Sequence, residues 1–271
     1  MNRSRRQFLT TIATGTAALT LGRCQPRRLS ARPGDDKKKK KKHILTLSFD
    51  DGFKKSSIKT AEIYEKYGFS ACLNIIASGH LKTFKPDSAQ KGFPMGDFGL
   101  WNELKKRGHE IHPHGYRHAA LGQKPLNEAK DLVRRCLDMM SKELKGFDPK
   151  KAVYAFPYGS TSPEVNAWLV TRVRAVRFGR GPNPLPHKGL VHLGMFGFSR
   201  DPREKHVDRA VDELLAADSG WQVVLLHGLD GEGHRPLRSD YLDGLLKRLS
   251  AIESVDVLPP IQAFEKYASS D

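Results

Sequence analysis

From residue 43 onward, short apolar runs alternate with amphipathic segments of helix length, and this alternation constrains the fold more than any other feature. Repeated alternation of strand and helix is typical of a parallel sheet with helices packed outside it. Seven or eight such units favour a barrel over an open sheet, and we find no internal repeat and no second domain. The predicted strands are residues 45–49, 69–76, 110–112, 152–156, 175–178, 191–193, 221–226 and 255–258. The predicted helices are residues 57–67, with Ser56 or Ser57 as the N-cap, and residues 98–107, 127–144, 162–172, 207–217, 240–249 and 261–267.

The strongly basic composition is confined to the beginning of the chain. The 271 residues carry a formal net charge of +16, of which residues 1–42 contribute +11 and residues 43–271 only +5. The body is therefore mildly basic, and it has no stripe of Arg and Lys interleaved with aromatic residues. This pattern argues against a nucleic-acid partner.

The first residues resemble an export signal. SRRQFL at residues 4–9 is similar to the twin-arginine motif, and the apolar stretch at 8–21 is too short and too rich in Thr and Gly to span a membrane comfortably. We therefore predict a twin-arginine-type signal over residues 1–31, a basic disordered linker over 32–42 and one barrel domain over 43–271. The domain would be periplasmic or extracellular, without a stable membrane span. Lipidation at Cys24 and a retained membrane anchor are the open alternatives.

Two adjacent carboxylates, Asp50 and Asp51, end the first predicted strand and are followed by Gly52. An Asp-Gly pair favours a tight turn, so both acids are expected at the strand terminus. Like charges this close resist joint ionisation, and a metal ion that takes one carboxylate as a ligand relieves that cost and leaves the other as a base. An ordinary solvated turn after a core strand is the alternative interpretation.

Three further strand ends carry reactive residues, and the carboxyl ends of parallel strands are where active groups gather. His114 and His118 stand four residues apart, so that one helical turn would place both imidazoles on the same side. Together with Asp51 they form a two-His, one-carboxylate set that suits zinc or a similar divalent cation carrying water. A solvated or core-satisfied His pair is the alternative, and His109 and His112 are interpreted as supporting or structural. The three strand ends are HPHGYRH at 112–118, FPYG at 156–159 and LLHG at 225–228.

These motifs, in this order, resemble those of the polysaccharide deacetylases, carbohydrate esterase family 4. SFDDG at 48–52 matches the first motif of that family, and GHEI at 108–111 with His114 and His118 matches the second, with Gly115 where Ser or Thr is usual. FPYG at 156–159 matches the third motif and LHG at 226–228 the fifth. The resemblance covers about residues 43–267 and implies a distorted (β/α) barrel of about seven parallel strands. It also implies a metal-dependent N- or O-deacetylation of an acetylated glycan.

The residue types indicate a mechanism around one divalent metal ion, zinc, with cobalt or another transition metal as the alternative. The metal on Asp51, His114 and His118 would activate a water, Asp50 would act as general base and His227 as general acid. A structural role for His227 is its alternative. The resemblance further implies that the backbone N–H of Tyr158 stabilises the oxyanion.

Two departures from the family pattern affect the predicted site. The third motif of the family often begins with an Arg that orients the catalytic Asp, and Ala155 stands there instead. The fourth motif, an Asp near a Trp, has no clear counterpart. We predict that Arg200 supplies the missing guanidinium, with a surface loop position as its alternative.

Two other classes of function stay open, the first because of the missing third-motif Arg and the second because a similar barrel can serve it. One is a catalytically impaired glycan-binding protein, and the other is a related C–N hydrolase that acts on a small cyclic amide. The identity of the glycan is expected to depend on the loops at 78–98, 179–190 and 229–238.

Overall fold

The computed structural model describes residues 43–86, 90–197 and 203–267. The predicted signal, the basic linker and Arg200 lie outside these residues. The strands are β1 (His43–Phe49), β2 (Cys72–Ile75), β3 (Glu110–Pro113), β4 (Val153–Ala155), β5 (Ala175–Arg180), β6 (His192–Met195), β7 (Gly220–Leu226) and β8 (Val255–Val257). The helices are α1 (Lys54–Glu65), α2 (Phe98–Lys106), α3 (Leu126–Glu143), α4 (Pro163–Leu169), α5 (Arg203–Ala216), α6 (Ser239–Ser250) and α7 (Pro260–Tyr267). Among these described helices, none combines the length and the apolar character needed to span a bilayer.

The strands form a distorted barrel of parallel strands, as the alternation predicted. One ladder has the order β3-β2-β1-β7, and a second has the order β4-β5-β6. A parallel bridge between Phe196 and Val224 joins the end of β6 to β7, and Val153 N–H donates to His112 Nδ1 at 3.3 Å between β4 and β3. The short β8 pairs with the first three residues of β1. Seven strands thus surround one interior, and the single (β/α) domain is confirmed.

Side-chain alternation along the strands separates two apolar layers. In β1, Leu45 and Leu47 belong to the larger cluster, which also contains the buried faces of the helices. Ile44 belongs to a smaller cluster with Val223 of β7 and Val153 of β4, in the barrel interior. Along the inward-facing side of the strands, the residues are therefore apolar near the start of the strands and polar at their carboxyl ends.

The first helix begins three residues earlier than predicted, and its expected cap was wrong. Phe53 is the N-cap of α1, while Ser56 and Ser57 are buried inside the helix. The buried carboxylate of Glu232 accepts a hydrogen bond from Ser56 N–H at 2.6 Å and so satisfies one of the free amides of the first turn. This cap is supplied by a residue far along the chain, and local sequence patterns do not indicate it.

Candidate active site

The end of β1 delivers two buried carboxylates into the barrel mouth. Asp50 is only 3 % exposed and Asp51 only 1 %. Asp51 and Gly52 both have positive φ, at 78° and 83°, and this turns the chain sharply into α1. A Cβ on Gly52 would approach Ile75 and Trp101 to 3.2 Å, so the turn also depends on the missing side chain.

Asp51 lies against both imidazoles of the second motif. The distance from Asp51 Oδ1 to His114 Nε2 is 3.6 Å, and that to His118 Nε2 is 3.3 Å. One ligand atom from each of the three residues lies within 4.8 Å of the others. The donor set of two imidazole nitrogens and one carboxylate oxygen suits a zinc-type cation, so these residues fit the expected metal.

The two imidazoles meet through a loop, so the helical turn that we predicted for residues 114–118 was wrong. This segment follows β3 without helical structure, and Gly115 and His118 have positive φ of 82° and 56°. A Cβ on Gly115 would lie 3.2 Å from Pro157 Cγ, where the loop passes the end of β4. The close approach explains a glycine at this position.

His114 is held in the protonation state that a ligand needs. Its Nδ1 lies 2.9 Å from the carbonyl oxygen of Ala155, so a proton on Nδ1 donates to that carbonyl and leaves Nε2 with a free lone pair toward Asp51. Burial, reinforced by nearby His118 and Arg177, holds the His114 pKa well below its usual range. The imidazole is therefore neutral at ordinary pH. For His118, the corresponding Nδ1 lies 3.4 Å from the amide nitrogen of Gln90.

The other two histidines of this region are structural. His109 Nδ1 accepts from Ala71 N–H at 3.0 Å, and its Nε2 lies 3.1 Å from Glu65 Oε1. His112 Nε2 lies 2.8 Å from Glu110 Oε2. Both side chains tie strands to neighbouring segments rather than joining the Asp51 set.

The guanidinium beside Asp50 comes from Arg177, a residue that we did not predict. Arg177 Nη2 donates to Asp50 Oδ2 at 2.5 Å, and both side chains are buried. The register of β4 and β5 pairs Ala155 directly with Arg177. The sequence has Ala155 where the family motif often has an Arg, and Arg177 at the paired position of the adjacent strand thus provides the guanidinium. A sequence signal existed, because one Arg inside the apolar run AVRF needs a buried partner. The role predicted for Arg200 stays a prediction.

His227 follows β7, which pairs with β1 so that Leu226 lies beside Phe49, and His227 therefore enters the same mouth next to Asp50. Burial, together with Arg203, His234 and His114, lowers the His227 pKa to about 3 against the opposing effect of the Asp50 charge. The ring of His234 lies edge-on to that of His227, with centroids 5.5 Å apart. His234 is a second residue of the mouth that we did not predict.

Tyr158 lies in the short 3-10 turn Pro157–Gly159 after β4. Its φ is 59°, its side chain is more than half exposed, and its ring centroid lies 4.6 Å from that of His118.

The structure therefore brings Asp50, Asp51, His114, His118, Tyr158 and His227 to one cavity of about 370 Å³. The cavity is also lined by Gln90, Phe156, Gly159, Arg177, Met195, Leu225 and His234. Apolar and polar groups in these proportions are typical of small-molecule sites.

Solved structures with this fold come from several bacterial sources. Peptidoglycan deacetylase PdaC from Bacillus subtilis is 17% identical over 83% of this chain and 91% of that chain, with a TM-score of 0.51. A putative polysaccharide deacetylase from Mycobacterium smegmatis is 14% identical over 84% and 90%, with a TM-score of 0.59.

A family 4 acetyl xylan esterase from Clostridium thermocellum, solved with a cobalt ion, is 17% identical over 82% and 91%, with a TM-score of 0.55. At these identities the similarity shows the fold alone. No curated protein sequence matches the chain. The sequence model of the family described as polysaccharide deacetylase matches residues 37–172, half of the chain. The chain belongs to the polysaccharide deacetylase family.

Proposed function

We propose that this protein is a metal-dependent hydrolase that removes N- or O-linked acetyl groups from a polysaccharide or oligosaccharide. The observation that carries the proposal is the juxtaposition of the Asp51, His114 and His118 set with a separately held second carboxylate, Asp50. Membership of the polysaccharide deacetylase family supports an acetylated glycan as the substrate class. We also propose export by the twin-arginine-type signal in residues 1–31.

Asp51, His114 and His118 would hold one divalent cation, zinc or alternatively cobalt. When bound, that cation supplies a Lewis acid for the acetyl carbonyl and lowers the pKa of a water. Asp51 and His114 are buried, and the contact of His114 Nδ1 with the Ala155 carbonyl fixes the direction of that ring before any ion arrives, which limits the reorganisation needed for binding.

Asp50 is the general base of the proposed reaction. Its carboxylate takes a proton from the attacking water while Arg177 keeps it oriented. The carbonyl oxygen then gains negative charge, and we assign the backbone N–H of Tyr158 as a donor to it. The strained φ of Tyr158 supports this assignment, because unusual backbone conformations persist where a site depends on them.

His227 delivers a proton to the leaving amine or alkoxide. Because its pKa is lowered to about 3, its imidazole is neutral before the reaction, so the proton must come from the attacking water during turnover. The water loses one proton to Asp50, and Asp50 passes that proton to the neutral imidazole of His227. His227 then gives it to the leaving nitrogen or oxygen as the bond from that atom to the acyl carbon breaks, and the second proton of the water is lost to solvent when the acetic acid ionises. Acetate is the other product.

The proposal is tested by acetate release from a panel of acetylated chitin oligosaccharides, peptidoglycan and acetylated xylan. The protein is assayed metal-stripped and again with zinc or cobalt restored, beside the isosteric variant Asp50→Asn. We expect metal-dependent release that falls by roughly 10²–10⁴-fold in the variant. Glycan binding without release would instead support the impaired binding protein, and cleavage of small cyclic amides alone would support the other C–N hydrolase.

A further inference from the structure

Asn74 is a polar residue in the middle of a buried apolar strand. It lies in β2 within the run ACLNII, and its side chain is only 2 % exposed. The register that pairs Ser48 with Cys72 and Phe49 with Leu73 brings Asn74 level with Asp50. An amide buried in such surroundings is costly unless its hydrogen bonds are made. Its partners therefore indicate why it is there.

The amide nitrogen of Asn74 holds the oxygen of Asp50 that Arg177 leaves open. Nδ2 donates to Asp50 Oδ1 at 2.8 Å and to Ser48 Oγ at 2.8 Å. Arg177 donates to Oδ2 from the other side. Because Asp50 offers only acceptors when ionised, the nitrogen rather than the oxygen of the amide must face it. Both oxygens of the Asp50 carboxylate thus accept a hydrogen bond, one from Asn74 in β2 and one from Arg177 in β5.

These two hydrogen bonds matter because both adjacent carboxylates lie equally close to His114, although only Asp51 also lies 3.3 Å from His118. Asp50 Oδ2 and Asp51 Oδ1 each lie 3.6 Å from His114 Nε2. Distance from His114 alone therefore does not exclude Asp50 as an additional metal ligand. The hydrogen-bond donors do exclude it, because the lone pairs of Asp50 that accept from Arg177 and Asn74 are not directed at a cation.

We propose that Asn74 is a positioning residue that keeps Asp50 off the metal and fixes it as the base. The inference rests on the proposed function. Without Asn74, one strong contact remains, and the carboxylate can rotate about its Cβ–Cγ bond around the Arg177 contact. Oδ1 then becomes available as an additional ligand, so the base is lost to the metal.

The test compares Asn74→Leu, which conserves the side-chain shape, with Leu73→Met, a volume-conserving change in the same strand at a side chain of the larger apolar cluster. In Asn74→Leu we expect kcat for acetate release to fall at least about tenfold with KM within about twofold. We also expect the zinc Kd, measured by competition with a chelator, to become about tenfold tighter. The double variant Asn74→Leu/Asp50→Asn should lose that gain, because it lacks the released carboxylate. Leu73→Met should leave both quantities near wild type.

An unchanged kcat together with an unchanged zinc Kd in Asn74→Leu would overturn the inference. Weaker zinc binding in that variant would also overturn it, since it would mark a structural role. If Asn74→Leu does not fold by circular dichroism, Asn74→Ala is measured in its place. If the wild type releases no acetate at all, the proposed function fails, and the zinc arm alone decides whether Asn74 restrains Asp50.

Discussion

Removal of the Arg177 guanidinium should weaken the fold and the site together. Arg177 and Asp50 are each about 3 % exposed and lie 2.5 Å apart, and the other terminal nitrogen of Arg177 donates to the sulfur of Met195 at 3.1 Å. In Arg177→Met the Asp50 charge stays buried with Asn74 as its remaining donor. Breaking one side of a buried pair costs about 3–5 kcal/mol, and we expect a loss of that size in urea unfolding of the metal-free protein.

A relocation variant separates the charge effect from damage to the strand. Because Ala155 and Arg177 are paired across β4 and β5, Ala155→Arg combined with Arg177→Ala places a guanidinium at the neighbouring position on the same face. We expect this double variant to recover part of the stability and of the acetate release that Arg177→Ala loses. An Arg177→Met protein with wild-type stability and turnover would show that the Arg177–Asp50 pair supports neither the fold nor the site.

Three further outcomes are expected. Glu110→Gln should lower the free energy of unfolding by about 1–3 kcal/mol, because the carboxylate accepts from Ile261 and Gln262 N–H at the start of α7 and from His112; urea titration measures it. The folded-state pKa of His227, about 3, lies below the unfolded value of 6.5, so the metal-free protein loses stability as the pH falls below 6.5. His227→Gln should reduce the loss between pH 7 and pH 4.5 by about 2–3 kcal/mol, and an equal loss in both proteins would contradict this. Asp51→Asn should weaken zinc binding by more than about 100-fold in a chelator competition, whereas near-wild-type affinity would exclude Asp51 as a ligand.

The strand–helix alternation was sufficient to predict the barrel, because each element is defined by periodicities within a few neighbouring residues. It also predicted that β1, β3, β4 and β7 would bring their terminal residues to one mouth. The grouping of Asp51 with His114 was accessible for the same reason, since motif order and strand direction fix which ends meet.

Hydrogen bonds between residues far apart in the sequence could not be predicted in this way. Arg177 and Asp50 are separated by 127 positions, and Glu232 and Ser56 by 176. Each pair depends on which strands become neighbours and at what level, which no local pattern encodes. The prediction of a helical turn between His114 and His118 was wrong for a different reason. A spacing of four residues suits a helical turn, but it suits a loop with two left-handed residues equally well.

Metal-dependent deacetylation is tested most sharply by a zinc titration of the metal-stripped protein in which bound metal and acetate release from an acetylated glycan are measured in the same samples. We expect acetate release to rise in proportion to bound zinc and to reach its plateau at one ion per chain. We also expect Asp50→Asn to bind zinc with little release. Acetate release at full rate without metal, or one bound ion with no release from any acetylated glycan, would show that the protein is not a metal-dependent deacetylase.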